Sequence, residues 1–385
     1  MKRWNKFLLL LETILILVLC TGCWNYREIE KTTIVSGMAI DKGTNGHQYH
    51  LTYEVLYFPA GDGQSVQASI LESDGDSIFD AIRSAVTEAD KKLYFSNCKV
   101  VIISKDLARE GIEPLMDFFL RNTEPRKRLL LAVSDEDAAA KILSNGTNTK
   151  ESVAFKLGGI MEDTQSVYGH ILPLPLYQVY NALHSESQAL TLPNIKLVKI
   201  GKNLEPQIGT NVIFRQDKMV GFLPQDENLY YLMLKDKIKS GILMTDMPSG
   251  KKDISLEILK CKTKVKPVVS GNQVTMKIQI KLLASLGEES NDEKTYTIKN
   301  GELSRIEKAA SKTLEEGLTN LIFDIQNNYG VDIFGFADKI KQDSPNDWVK
   351  LSKNWDQNFR HVKPEITADV KVVSTAAALP KVGRS

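Results

Sequence analysis

Between Ser255 and Tyr329 the spacing of apolar residues changes from every second position to every third or fourth. Ser255–Val268 and Gln273–Ala284 alternate apolar and polar side chains, the pattern of strands with one buried face. From about Lys299 to Tyr329, Leu303, Ile306, Ala310, Leu314, Leu318 and Ile325 fall at helical spacing, and Gly330 ends the run. A helix of this length is at the high end for a globular protein. Two shorter helices and a last strand, Glu365–Val373, follow. The strands and the helix each have one apolar face to bury, which commits residues 248–375 to an α+β domain.

The first half of the chain is organised differently. Thr33–Asp41 reads as a strand, and Asn45-Gly46 is a strong hairpin signal. Gln48–Phe58 then alternates, with Tyr49, Leu51, Tyr53, Val55 and Tyr57 on one face. Asp76-Ser77 caps a predicted helix reaching about Lys92. Lys99–Ser104 is a short continuous apolar strand, Asp106–Arg121 a helix, Lys127–Val133 a strand and Asp135–Leu143 a helix. This alternation predicts a sheet covered by helices. Helices are expected over 150–166 and 174–185. Four strands follow, at 195–200, 208–214, 218–223 and 241–245, with one helix near 225–235. The chain therefore reads as a mixed α/β protein of three successive domains, at 23–192, 193–247 and 248–375, with a frayed tail at 376–385.

Residues 1–22 read as a removable leader. Lys2, Arg3 and Lys6 precede an apolar run from Phe7 to Cys20, and Thr21-Gly22-Cys23 follows. These are the charged, apolar and small-residue parts of a secretory signal. The apolar run is short for a span, which needs about 20 apolar residues, and Glu12 in its middle is costly in hydrocarbon. Cys23 directly after Gly22 resembles the lipobox of bacterial lipoproteins, in which that thiol takes a diacylglyceryl group and becomes the new N-terminus. Each buried methylene contributes about 0.8 kcal/mol and one chain alone binds only marginally, so two chains hold a domain to a membrane without a spanning helix.

Composition excludes several classes. Lys plus Arg number 49 and Asp plus Glu 48. The total makes no electrostatic case for nucleic acid or for a polybasic membrane patch, and no charge run stands out. After Cys23, only Cys98 and Cys261 remain, both in strand-like segments, and they read as buried free thiols. The five histidines, at 47, 50, 170, 184 and 361, form no metalloprotease pattern. No phosphate-cradling glycine loop is present, and Gly61-Asp62-Gly63 and Asp74-Gly75-Asp76 lack the ligand count of a calcium loop. No catalytic group, metal or cofactor is expected.

The residues after Cys23 carry a family resemblance. Cys23-Trp24-Asn25-Tyr26-Arg27-Glu28-Ile29-Glu30 and the strand Val35-Ser36-Gly37-Met38-Ala39-Ile40-Asp41 resemble the start of the Ger(x)C family, the lipoprotein C subunits of bacterial spore germinant receptors. The likeness continues through Arg121-Asn122-Thr123-Glu124-Pro125-Arg126 and Asp217–Leu223. It is clearest at Asp332-Ile333-Phe334-Gly335-Phe336-Ala337, before Trp348 and Trp355. The resemblance implies mixed α/β domains without an enzymatic fold and a part in nutrient-triggered germination. It also implies a place on the outer face of the spore inner membrane, beside a multi-span A subunit and a transporter-like B subunit.

Five further residues are candidates for membrane-interface or partner contact. Trp24 and Arg27 adjoin the lipid site, and Trp is favoured at the membrane interface. Arg126 lies in a basic segment that either meets a headgroup or subunit or forms a solvated loop edge. Trp348 and Trp355 are seven residues apart, which suits either an aromatic contact for a partner or, the favoured reading, a domain core. A different class of function, a lipid-anchored solute-binding protein feeding a transporter, would need a ligand cleft between two similar lobes.

Overall fold

The computed structural model describes residues 4–7, 12–13, 32–44, 46–57, 66–89, 91–122, 124–145, 151–164, 169–185, 187, 189–246, 253–271, 273–289 and 302–373. Cys23, Trp24 and Arg27, most of the leader and the tail 376–385 lie outside the described residues.

Two sheets form the frame. The first has nine strands: β1 (Thr32–Lys42), β2 (Tyr49–Tyr57), β3 (Gln67–Gly75), β4 (Lys92–Tyr94), β5 (Val100–Ile103), β6 (Leu130–Ser134), β7 (Thr191–Ile200), β8 (Asn203–Arg215) and β9 (Lys218–Phe222). Their order is β3-β2-β1-β5-β6-β7-β8-β9, with β4 pairing the start of β1. β1, β5, β6 and β7 run parallel, and the flanks are antiparallel. The central strands are apolar without alternation because both faces are covered. Val101 and Ile103 face one core with Leu107, Leu115 and Phe118, while Val100 and Ile102 face another with Ile142, Leu157 and Met161.

The second sheet has four strands, in the order β10 (Ile242–Asp246), β11 (Asp253–Ser270), β12 (Gln273–Glu289) and β13 (Lys363–Val373). The long helix spans Glu302–Asn328. Its stripe of Ile306, Ala310, Leu314, Leu318, Leu321 and Ile325 is buried on Met276, Ile278, Ile280 and Leu282 of β12. Burial of one such aliphatic side chain contributes roughly 1.5–3 kcal/mol.

The mixed α/β character is as the sequence predicts, and the small domain expected at 193–247 is not a unit with its own sheet. β7, β8 and β9 continue the first sheet, whereas β10 opens the second and the helix Asn228–Leu234 packs into the second core. The physical reason is that β6 offers β7 a free parallel edge, with Val133 opposite Asn194. β3 was not expected from the sequence at all. Two long predicted helices are each broken. The first divides at Ala85 into Ile78–Ser84 and Val86–Ala89 and gives way to β4. The second divides at Gly111, whose φ of +136° no helix accommodates, into Lys105–Glu110 and Glu113–Arg121.

The sheets are joined by specific contacts. Thr191 Oγ1 and Tyr231 OH are 2.9 Å apart, and Tyr329 OH donates to the Phe222 carbonyl at 3.0 Å. Gly221 lets the Tyr329 ring lie against β9 where a Cβ would collide with it. Ser187 donates to Asp338, and Arg215 donates to the Tyr329 carbonyl.

Candidate functional site

Three features stand out: a buried carboxylate node, a surface groove and a lysine-bearing sheet face. The node is Asp332, 4% exposed. Its Oδ1 accepts from the backbone N–H groups of Phe334 (3.2 Å), Gly335 (2.9 Å) and Phe336 (3.1 Å). Its Oδ2 accepts from Ala337 N–H (2.8 Å) and the Trp355 indole N–H (3.2 Å). The turn needs Gly335, whose φ is +80°. It aims the first N–H groups of the helix Phe336–Asp343 at one carboxylate, the arrangement favoured at a helix N-terminus. Burial pushes the Asp332 carboxyl above the ordinary aspartate value, and the bonds from Ala337 and Phe336 and the Lys235 charge pull it back. Burial likewise pushes the Lys235 ammonium below its ordinary value, against Asp332 and Asp338.

Trp348 (5% exposed) and Trp355 (7%) are in this core, in edge contact with ring centroids 5.5 Å apart. A partner contact at these two rings is therefore corrected to packing. The intervening Ser352–Asn354 is a 3-10 turn, so the two indoles come together across a break and not along one continuous helix. A second carboxylate, Glu54, is fully buried in the first domain. It accepts from Ser36 Oγ (2.6 Å), Ser152 Oγ (2.5 Å), Val153 N–H (2.6 Å) and Ala154 N–H (3.1 Å), fixing the helix Val153–Asp163 to β2.

The groove has a volume of about 1010 Å³ and is lined by Tyr49, Phe79, Arg83, Phe95, Phe118 and Arg121, among others. Phe79 is 54% exposed, with the Arg83 guanidinium 4.7 Å above its ring. Glu124 closes one side, accepting from Phe95 N–H at 2.9 Å and Lys92 Nζ at 2.8 Å. That pins the segment in which Pro125 is buried and Arg126, Lys127 and Arg128 are exposed. Arg126 is thus placed where a headgroup or subunit can reach it.

The expectation of no polybasic patch is corrected by the second sheet. Lys260, Lys262, Lys264 and Lys266 are exposed on β11 and Lys277 and Lys281 on β12, all on the face away from the long helix. The balanced total conceals this, and the face also carries the exposed acids Glu257, Glu365 and Asp369, which the lysines outnumber. The period-two lysines of 260–266 were the available signal.

Among the described residues, no three His, Cys, Asp or Glu side chains come together as metal ligands. Cys98 and Cys261 are free and buried. Burial pushes their thiols up to about 12 and about 11, so they stay protonated and unreactive. No described helix is long and apolar enough to cross a membrane. Both buried carboxylates are filled with backbone and indole or hydroxyl donors, and their geometry holds loops and helix ends in place.

Residues 25–197 match the spore germination protein N-terminal domain, and residues 208–376 match the spore germination B3/GerAC-like C-terminal domain. The chain belongs to the Ger(x)C family. The boundary between the two matches falls near the junction of β7 and β8, within the first sheet. Among relatives, spore germination protein B3 of Bacillus subtilis (strain 168) is 29% identical over 97% of this chain and 98% of its own length. Spore germination protein KC of the same organism is 25% identical over 95% and 94%. Spore germination protein GerQC of Bacillus cereus is 23% identical over 97% and 99%. The crystal structure of the GerBC protein superposes with a TM-score of 0.59 at 23% identity, covering 88% of this chain and 97% of that one, which shows a shared fold.

Proposed function

We propose that this chain is a lipid-tethered, non-enzymatic subunit of a spore germinant receptor, needed for the nutrient-triggered germination response. It stands beside a multi-span A subunit and a transporter-like B subunit, held by acyl chains on Cys23 at the outer face of the spore inner membrane. The observation that carries this reading is the position of Cys23: the family match begins at residue 25, directly after a Gly-Cys site that closes a signal-like leader. Trp24 and Arg27 then lie at the depth of the headgroups. The buried carboxylates support it as well, since each is used up in holding a loop or a helix end.

The test is Cys23→Ala in spores. The variant chain is expected to leave the membrane fraction, and nutrient germination is expected to fail while the fold is kept. Full membrane retention with normal germination overturns the tether. The groove of about 1010 Å³ is the feature a solute-binding protein would use. It lies within one domain, and the two sheets differ in strand number and order, so the described residues form no cleft between two similar lobes. Tight calorimetric binding of a germinant amino acid or sugar by the isolated chain would favour that rival.

A further inference from the structure

The second sheet has one face under helices and the other in solvent. Its inward-facing pairs are Pro267 with Met276, Val265 with Ile278, Thr263 with Ile280 and Cys261 with Leu282. The alternate positions bear the lysines, and the register sets Lys266 opposite Lys277 and Lys262 opposite Lys281. Like charges facing each other across strands destabilise a sheet. Lysines on edge strands prevent pairing with other chains, and β10 pairs only Asp253–Glu257, so Lys260–Lys266 lie on the stretch of β11 beyond it. Protection of an edge can account for those four but not for Lys277 and Lys281, whose strand β12 is paired on both sides.

Internal pairing covers only part of the array, since β13 sets Glu365 opposite Lys277 and Asp369 opposite Lys281. Lys262 reaches Asp236 at 3.1 Å and Lys277 reaches Glu365 at 3.8 Å. Lys260, Lys264, Lys266 and Lys281 make no ion pair among the described residues. Lysine carries a point charge on a flexible stem, without the fixed fork by which arginine grips one shaped anion. Strands about 4.8 Å apart, rising about 3.3 Å per residue, spread these charges over a broad area. A broad array of mobile cations complements a broad array of anions, and clusters of this size are the electrostatic footprint of anionic lipid. On the same face Ile242 and Met244 of the edge strand are 52% and 49% exposed. Their partners are Glu257 and Ser255. They add apolar side chains able to enter the headgroup boundary.

We propose that this outer face of the four-stranded sheet docks on the anionic surface of the bilayer to which the chain is tethered. The inference rests on the tether proposed above. Docking gives the chain a second attachment besides the lipid and so fixes its orientation, leaving the groove and Arg126 of the first domain to meet protein subunits.

The test uses the acylated full chain in nanodiscs of phosphatidylcholine alone or with phosphatidylglycerol. Amine acetylation is followed residue by residue by mass spectrometry, with Lys312, 75% exposed on the long helix, as the reference. Lys262, Lys264 and Lys281 are expected to be protected about fivefold or more in anionic discs, and protection is expected to vanish in neutral discs and at high salt. Equal reactivity in both discs overturns the proposal. So does protection that appears only when receptor subunits are added, since the face then belongs to a protein interface. A chain that leaves both kinds of disc refutes the tether and is distinguished by its loss irrespective of lipid charge. As a second arm, a Cys23→Ser chain carrying K262E, K264E and K281E is expected to lose the preference for anionic over neutral vesicles that Cys23→Ser alone shows. An unchanged preference overturns the assignment of this face.

Discussion

Replacing Asp332 by alanine removes the acceptor of five buried or part-buried donors, four backbone N–H groups and the Trp355 indole. A buried donor left without a partner costs about 1–3 kcal/mol. Water entering the space recovers part of that, and single substitutions rarely exceed about 5 kcal/mol. The expected loss for Asp332→Ala is therefore about 3–5 kcal/mol, a large fraction of a domain's stability. Asp332→Asn is the discriminating comparison. It keeps an acceptor for Phe334, Gly335 and Phe336 but points an amide at the Ala337 and Trp355 donors, so it is expected to cost about 2–4 kcal/mol. The exposed Asp356, in the first turn of the helix Trp355–Phe359, is the control, with a change within about 0.5 kcal/mol. The assay is urea denaturation followed by tryptophan fluorescence, since Trp348 and Trp355 sit in this core. A loss below about 1 kcal/mol for Asp332→Ala, or an asparagine variant equal to the control, would refute the reasoning that the carboxylate organises the turn.

Other outcomes follow from the same geometry. Glu54→Ala is expected to lower stability by about 2–4 kcal/mol, because the N–H groups of Val153 and Ala154 lose their acceptor; chemical denaturation checks it, and a change under about 0.5 kcal/mol would contradict it. Glu227 Oε2 is buried without a donor, and burial together with Asp324 raises its carboxyl to about 7 from 4.5. The folded state then holds the proton more tightly than the unfolded one, so this contribution is full below about pH 4.5 and is lost as pH rises through 7. After discounting for partial exposure it is about 1 kcal/mol; Glu227→Gln should flatten the dependence of the denaturation midpoint on pH in that window. Cys98 and Cys261 are expected to resist a thiol reagent at pH 8 in the native chain and to react at once in denaturant; prompt native labelling would show that these sites open. Gly221→Ala pushes a methyl into the Tyr329 ring and is expected to cost about 1–3 kcal/mol and to increase proteolysis between the sheets.

Much of the fold is legible in local pattern. The helix of 302–328 is announced by its stripe, and β11 and β12 by their alternation. The hairpin of β1 and β2 is announced by Asn45-Gly46, and Gly46 has a φ of +94°. Gly111 shows how a helix can be lost. The apolar spacing on either side continues, yet one glycine at φ +136° breaks it. β3 escaped because Gln67–Gly75 has no clean alternation, and it is a strand only because β2 presents it an edge. The middle segment was misplaced for the same reason: strand pairing is a long-range choice that local pattern does not encode. At the candidate site, Asp332 was visible as part of a motif. Its five donors were not, since Trp355 lies 23 residues away.

The sequence by itself determined the mixed α/β class and the family, because these rest on residue order and short-range period. Only the tertiary structure decided that β7, β8 and β9 continue the first sheet, that Trp348 and Trp355 are core, and that six lysines share one open sheet face. A net charge near zero is a sum over all residues and has no position. Strand register gives each charge a place, and here it sets lysine opposite lysine on β11 and β12 of the second sheet.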